Sequence, residues 1–226
     1  HFEVQVIGDS HGNAVHLFER DCSSQRRHQK LIEEAPAPGV DPARRDAVAE
    51  SAAELIRRAE YCGAATVEFL MDRNQDFFML EVNTRVQVEH PVSELITGVD
   101  IVREQIRVAA GQPLSITQSD LSVNGHAIEC RINAEDPDRN FMPQAGLIET
   151  FSAPGGPGVR LDSHARTGYR IPPNYDSMIG KLIVHGETRD DAIARMRQAL
   201  DEFQIGPIRT TIPLHRRLMD QREFVE

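Results

Sequence analysis

The chain has 226 residues, a formal net charge of −10, 40% hydrophobic residues, no Trp, three Cys and nine His. That length suits one large or two modest packed domains, the acidity argues against phosphate-driven nucleic-acid binding, and no apolar run is long enough to cross a bilayer. Cys22, Cys62 and Cys130 are widely spaced and no His pairs with a Cys or another His at ligand spacing, so zinc is disfavoured and the odd thiol count fits a reducing compartment.

Phe2 to Ile7 alternates as a strand, Gly8 to Asn13 reads as a turn, and Ala14 to Glu19 as a second strand. A strand directly after His1 implies that the sequence begins inside a fold, as part of a longer protein, so the lack of a targeting segment says nothing of location. Arg20 to Lys30 reads as polar and irregular. Within it, Arg26, Arg27, His28 and Lys30 form a local basic cluster that suits a small anion, with a solvated basic loop as the competing reading for Arg26 and Arg27. Leu31 and Ile32 suggest that Lys30 enters a sheet. Pro36, Pro38 and Gly39 mark a loop, and Asp41 with Pro42 marks a helix start. Val48, Ala52, Leu55, Ile56 and Ala59 trace its buried stripe, and Gly63 suits the position past its end.

Ala64 to Met71 and Phe77 onward read as a hairpin. With a four-residue loop, Arg73 to Asp76, counting back along both strands sets Glu68 opposite Glu81. Two facing carboxylates repel. A divalent cation between them would remove the repulsion, and Asn83, two residues on, offers a neutral oxygen on the same face. Read as one strand, Glu81 to Glu89 puts Glu81, Asn83, Arg85, Gln87 and Glu89 on one face and Val82, Val86 and Val88 on the other. The competing reading is a half-exposed strand with its charges in water. Pro91 is expected to break the strand, and Asp100 to cap a helix buried through Val102, Ile106 and Ala109.

Gln112 to Asn124 reads as a connector. Beyond it, Ile128, Cys130 and Ile132 share one face of a strand and Glu129, Arg131 and Asn133 the other. Further strands are expected at 146–151, 159–162 and 178–185. Thr188 with Asp191 makes a capping box for a helix buried through Ile193, Met196, Leu200 and Phe203. Neither a P-loop nor a G-x-G-x-x-G is present: Ile179-Gly180-Lys181 has Tyr175 where the first glycine belongs and Leu182 where Ser or Thr belongs.

Four stretches carry a family resemblance. They are Glu19-Arg20-Asp21-Cys22-Ser23-Ser24-Gln25-Arg26-Arg27-His28-Gln29-Lys30, Glu81 to Pro91 followed by Glu94, Ile96, Thr97 and Gly98, Glu129 to Pro137, and Tyr175 to Leu182. Together they span nearly the whole chain and resemble the signatures of biotin carboxylases, in particular the C-terminal part of the biotin carboxylase component of an acetyl-CoA or propionyl-CoA type carboxylase. The resemblance implies an α+β chain. Residues 1–115 would be the C-terminal part of an ATP-grasp fold, an antiparallel sheet with packed helices, and residues 116–226 the biotin carboxylase C-terminal α+β domain.

The implied activity is a ligase reaction in which ATP phosphorylates bicarbonate to carboxyphosphate, which then carboxylates biotin on a carrier protein. By position, the resemblance implies that His1, Gln25 and His28 contact ATP together with Glu68 and Glu81. Glu68, Glu81 and Asn83 would hold Mg²⁺ or Mn²⁺. Lys30, Arg85, Gln87 and the Val88 backbone would bind bicarbonate, Glu89 would be the general base, and Arg85 and Arg131 would serve biotin; Lys30, Arg85 and Glu89 make the catalytic set. Implied partners are a biotin carboxyl carrier protein or domain, a carboxyltransferase component and a second copy in a homodimer, with no nucleic acid and no membrane, in the cytoplasm. The family's N-terminal domain and Gly-rich lid would lie upstream of His1, so the isolated chain is expected to be inactive. Two alternatives stay open: another ATP-grasp ligase, of carbamoyl-phosphate-synthetase type, and a non-catalytic scaffold or dimerisation piece.

Overall fold

A computed structural model describes residues 1–225 and divides the chain into two compact units, His1–Ala127 and Ile128–Glu226. In the first unit β1 (Phe2–Gly8), β2 (Ala14–Arg26), β3 (Gln29–Ala35), β4 (Gly63–Met71) and β5 (Phe77–Asn83) form an antiparallel sheet in the order β3-β2-β1-β4-β5. Helix α1 (Pro42–Arg58) covers one face. Its Val48, Ala49, Ala52, Ala53 and Ile56 meet Phe2, Val4, Val6, Val67 and Phe69 in one apolar cluster. The Asp41 side chain accepts from the amides of Ala43 and Arg44, the cap read from the sequence. Leu55 and Ala59 lie outside the cluster, because the contact stripe runs through the small residues Ala49 and Ala53 instead.

Because β1 alternates, Glu3, Gln5 and Ile7 point to the other face, toward α2 (His90–Thr97) and α3 (Ile101–Ala109). The structure departs from the sequence-based expectations at four places. Arg20 to Lys30 is not irregular: β2 runs on to Arg26, turns through Arg27 and His28, both at positive φ (49° and 63°), and returns as β3. Two positive-φ residues are what a two-residue hairpin turn needs, and neither residue advertises it. The row Glu81 to Glu89 is not one strand, since β5 ends at Asn83 and α2 starts at His90, where Pro91 opens the helix. Gly63 opens β4 rather than closing α1. Helix α3 is capped by Asp100 as expected, yet it buries Ile101, Glu104 and Val108 and leaves Val102, Ile106 and Ala109 exposed.

The second unit carries most of β6 (His126–Asn133), then β7 (Glu135–Asp136), β8 (Met142–Pro143), β9 (Gly146–Leu147), β10 (Thr150–Ser152), β11 (Val159–Asp162), β12 (Arg170–Ile171) and β13 (Met178–Gly186). It ends with α4 (Arg189–Glu202), β14 (Gln204–Gly206), α5 (Ile212–Met219) and α6 (Arg222–Val225). The Thr188–Asp191 capping box is present, and α4 buries Ile193, Met196 and Leu200 with Phe203 just beyond. Among the described residues no helix is long and apolar enough to cross a membrane.

Candidate functional site

The face of the first unit's sheet opposite α1 holds a dense set of buried charges. Glu3, Arg20, Glu68 and Glu89 are all less than a tenth exposed, and the Lys30 side chain is 13% exposed. Lys30, near the start of β3, sets its ammonium against Glu3 and 2.7 Å from Glu89 Oε1, with Glu68 Oε1 at 3.6 Å. Three acids thus share one lysine. Arg20, from β2, donates to Glu3 Oε2 at 3.2 Å, so charges alternate along Arg20, Glu3, Lys30 and Glu89.

Glu68 pairs with Glu81 across β4 and β5, the juxtaposition expected from the hairpin, but by another route. The loop is Asp72–Asp76, one residue longer than expected, because Met71 rather than Asp72 pairs with Phe77. A bulge at Leu80 between the Phe69–Met79 and Glu68–Glu81 pairs takes up the difference. The Asn83 amide nitrogen donates to Glu68 Oε1 at 2.9 Å and to Glu81 Oε1 at 3.0 Å, bridging the two carboxylates. Turning that amide over would add its oxygen to two carboxylates, the hard all-oxygen donor set that Mg²⁺ or Mn²⁺ selects. These residues therefore fit a divalent cation. His1, Glu3 and Glu68 also bring possible ligand atoms within 4.8 Å of one another, as do Glu3, Cys22 and Glu89. There Lys30 already supplies the cation.

His1 Nε2 lies 2.9 Å from Glu68 Oε2, and Gln25 Nε2 lies 2.6 Å from His1 Nδ1, so both stand beside the acid pair. His28 sits apart, exposed at the tip of the β2–β3 turn. Beyond β5, exposed Arg85 donates to Asn83 Oδ1 at 3.3 Å. Gln87 turns inward, accepts from Arg20 at 3.1 Å and donates to Glu68 Oε1 at 2.8 Å. Val88 is half-buried, and Glu89 stands immediately before α2. Arg131 lies on β6 in the second unit, half-buried, its carbonyl accepting from Thr211 Oγ1 at 3.0 Å and from His215 Nε2 at 2.7 Å. Burial pushes the Cys22 thiol, behind Glu89, well above the usual range, which makes it inert as a nucleophile.

Sequence reasoning missed Glu3 and Arg20, the two residues that complete the charge ladder. Glu3 had a signal, since it and Gln5 are the polar positions on one face of an otherwise apolar strand. Arg20 lay inside a stretch carrying the family resemblance, but periodicity could not mark it, because a change of phase along β2 brings it to this face.

Two family models account for nearly all of the chain. Residues 1–117 match the ATP-binding domain of the carbamoyl-phosphate synthase L chain, and residues 129–226 match the biotin carboxylase C-terminal domain. The first part is thus the C-terminal portion of an ATP-grasp fold, an antiparallel sheet with packed helices. With the second match beside it, the chain belongs to the biotin carboxylase family. It is 56% identical over 224 residues to biotin carboxylase of Pseudomonas aeruginosa, covering 99% of this chain and 49% of that protein. It is 54% identical over 226 residues to biotin carboxylase 1 of Bacillus subtilis, covering 100% of this chain and 50% of that protein. Among solved structures, the biotin carboxylase domain dimer of Hydrogenobacter thermophilus 2-oxoglutarate carboxylase, in complex with MgADP, ADP and bicarbonate, superposes with a TM-score of 0.97 at 48% identity, covering 99% of this chain and 49% of that one. The chain spans about half the length of these relatives.

Proposed function

We propose that this chain supplies the phosphate and bicarbonate floor of a biotin carboxylase. In this reading ATP gives its γ-phosphoryl group to bicarbonate, releasing ADP and forming carboxyphosphate. Carboxyphosphate then carboxylates a ring nitrogen of biotin on a carrier protein and leaves phosphate. Residues 1–115 carry the first step, and residues 116–226 contribute Arg131 to biotin.

The observation that carries the reading is the ladder Glu3–Lys30–Glu89 beside the Glu68–Glu81 pair. A carboxylate base next to a fixed cation can take the bicarbonate proton while the cation holds the remaining oxyanion. Glu89 is assigned as that base. Lys30, Arg85, Gln87 and the Val88 backbone are assigned to bicarbonate. Glu68, Glu81 and Asn83 would hold Mg²⁺ or Mn²⁺, which when bound neutralises phosphate charge. His1, Gln25 and His28 are assigned to the nucleotide, His28 by resemblance alone. Arg85, exposed next to Asn83, is assigned to the anionic forms of biotin and carboxyphosphate.

We place the chain in the cytoplasm, working with a biotin carboxyl carrier protein or domain and a carboxyltransferase, as a homodimer in its full-length form. The solved relative described as a domain dimer supports the last point. An acyl-CoA acceptor, hence malonyl-CoA supply for fatty-acid synthesis, is favoured by Glu89-His90-Pro91.

A carbamoyl-phosphate type of ligase has the first family model in its favour, but the second, over 129–226, favours biotin. Steady-state kinetics of the full-length protein separates them: ATP hydrolysis should need bicarbonate and rise with free biotin. Turnover supported better by an amine than by biotin would reject the assignment, and no turnover at all would favour a scaffold. Glu89→Gln should reduce bicarbonate-dependent turnover far more than ATP affinity, and equal losses would count against the base.

A further inference from the structure

Arg20 is fully buried, yet its two terminal nitrogens reach five side chains. Nη1 donates to Gln5 Oε1 at 2.8 Å and Ser93 Oγ at 3.0 Å. Nη2 donates to Glu3 Oε2 at 3.2 Å, Thr66 Oγ1 at 3.3 Å and Gln87 Oε1 at 3.1 Å. These partners come from β1, β4, α2 and the segment after β5. Guanidinium has no acceptor, so each amide that meets it must turn its oxygen inward. Gln87 is thereby left with its NH₂ aimed at Glu68 Oε1, 2.8 Å away, and Gln5 with its NH₂ on the Ala65 carbonyl, 3.1 Å away. The hold on Glu3 Oε2 leaves Oε1 to Lys30, which in turn stands against Glu89.

How Arg20 reaches this face is unusual. Along β1 and β2, Val6 pairs with His16 and Ile7 with Val15. Continued without interruption, that register would set Glu19 opposite Glu3 and turn Arg20 toward α1. The observed pairs are instead Val4–Glu19 and Glu3–Arg20, because Leu17 and Phe18 together oppose Gln5. Phe18 takes φ 61°, a left-handed conformation that a bulky side chain rarely adopts. One strained residue therefore exchanges an acid for a cation at the floor of the site. The phase change has no sequence signature, which is why Arg20 could not be read in advance.

We infer that Arg20 is a positioning residue for the bicarbonate half of the site, installed there by the two-for-one bulge at Leu17–Phe18. It touches no reacting atom; it fixes the Glu3 carboxylate and the Gln87 amide, and through them the aim of Lys30. This rests on the biotin carboxylase reading above.

Three variants of the full-length protein test it. Arg20→Lys keeps the charge but loses the planar fork. It should raise the KM for bicarbonate about tenfold or more, the size of a lost charge-assisted hydrogen bond, and change the KM for MgATP less than about threefold. Phe18→Gly replaces the strained residue with one at ease at positive φ and should stay within about threefold of wild type, whereas Phe18→Val should share the bicarbonate defect. A readout independent of turnover is the Gln87 side-chain amide, whose NMR signals should be shifted and slow to exchange in wild type and in Phe18→Gly. In Arg20→Lys and Phe18→Val they should move to free-amide values. Equal changes in both KM values, an unmoved bicarbonate KM in a folded Arg20→Lys, or like behaviour of the Gly and Val variants would overturn the inference. Should Arg20→Lys not fold, the Phe18 pair and the amide signals decide. A wild type without bicarbonate-dependent turnover rejects the functional reading instead, and the amide signals still test Arg20.

Discussion

The two units bury very different things. In the first, one face of the sheet is packed against α1 by Val, Ala, Ile and Phe, while the other encloses Glu3, Arg20, Lys30, Glu68 and Glu89. In the second, β13 and α4 bury Ile179, Leu182, Ile183, Ile193 and Met196. A buried ion network is seldom the cheapest way to hold a fold, since desolvation offsets most of the attraction, and well-packed apolar residues often do as well. The first unit thus tolerates an expensive interior where chemistry is assigned, and draws its apolar packing from the α1 face and from the cluster of Ile7, Leu17, Ala64, Val99 and Ile101. The second unit encloses Glu129 and His215 as well, but no ladder of paired charges like that of Arg20, Glu3, Lys30 and Glu89 is seen among its described residues.

The comparison is most strongly tested at Lys30. Lys30→Met leaves Glu3 and Glu89 buried without their shared cation and should destabilise by about 3–5 kcal/mol at pH 7. Adding Glu3→Gln should return part of that loss. Denaturant midpoints of the single and double variants check this, and strict additivity would dissolve the network. Leu182→Ala, at a fully buried position on β13, should cost about 2–4 kcal/mol through its cavity, with a loss that does not change between low and high salt.

The next test is pH. Burial pulls the His215 imidazole from 6.5 down to about 4, against the pull of its bond to the Arg131 carbonyl. The unfolded chain binds the proton first, so the contribution of neutral His215 is whole above pH 6.5 and drains away as pH falls toward 4, about 3 kcal/mol in all. Hydrogen exchange in α5 against pH should show this loss, and His215→Gln should flatten it.

The smallest effect belongs to Asp9. Burial alone would raise its carboxyl, but the Asn13 side chain and the amides of Leu114, Asn13 and His11 hold it at about 2. Its folded value lies below the unfolded 3.8, so its contribution is complete above that pH and is lost between about 4 and 2. Asp9→Asn should cost about 1–2 kcal/mol at neutral pH after allowance for screening and erase that step in an acid-denaturation curve.

The same contrast explains what could be read in advance. In the second unit the alternation at Ile128, Cys130 and Ile132 and the stripe of α4 lie where the pattern put them, because apolar residues there face the interior. In the first unit the interior is partly polar, so Arg20 to Arg26 carries a strand in residues that spell a loop. Hairpin counting reached the acid pair Glu68–Glu81, and Asn83 beside it, only because the bulge at Leu80 offsets a loop one residue longer than the count assumed. The outward route from Asn83 through Arg85 to Glu89 was not, because a helix start at His90 looked like a strand end at Pro91. Glu3 was legible as a polar position on an otherwise apolar strand. Arg20 depended on a backbone angle at Phe18 that no residue type announces.

The β4–β5 hairpin shows what such irregularities permit. Three pairs, Met71–Phe77, Leu70–Phe78 and Phe69–Met79, separate its five-residue loop from the unpaired Leu80. Removing Leu80 would leave an unbroken ladder in which the Glu68–Glu81 pair follows Phe69–Met79 directly. Removing one residue from Asp72–Asp76 would tighten the turn and leave every pair as it stands. Either change alters the length of the chain, and neither moves the acids apart. This hairpin therefore has two separate places, its loop and Leu80, where the chain can lose a residue while the two carboxylates stay opposite each other.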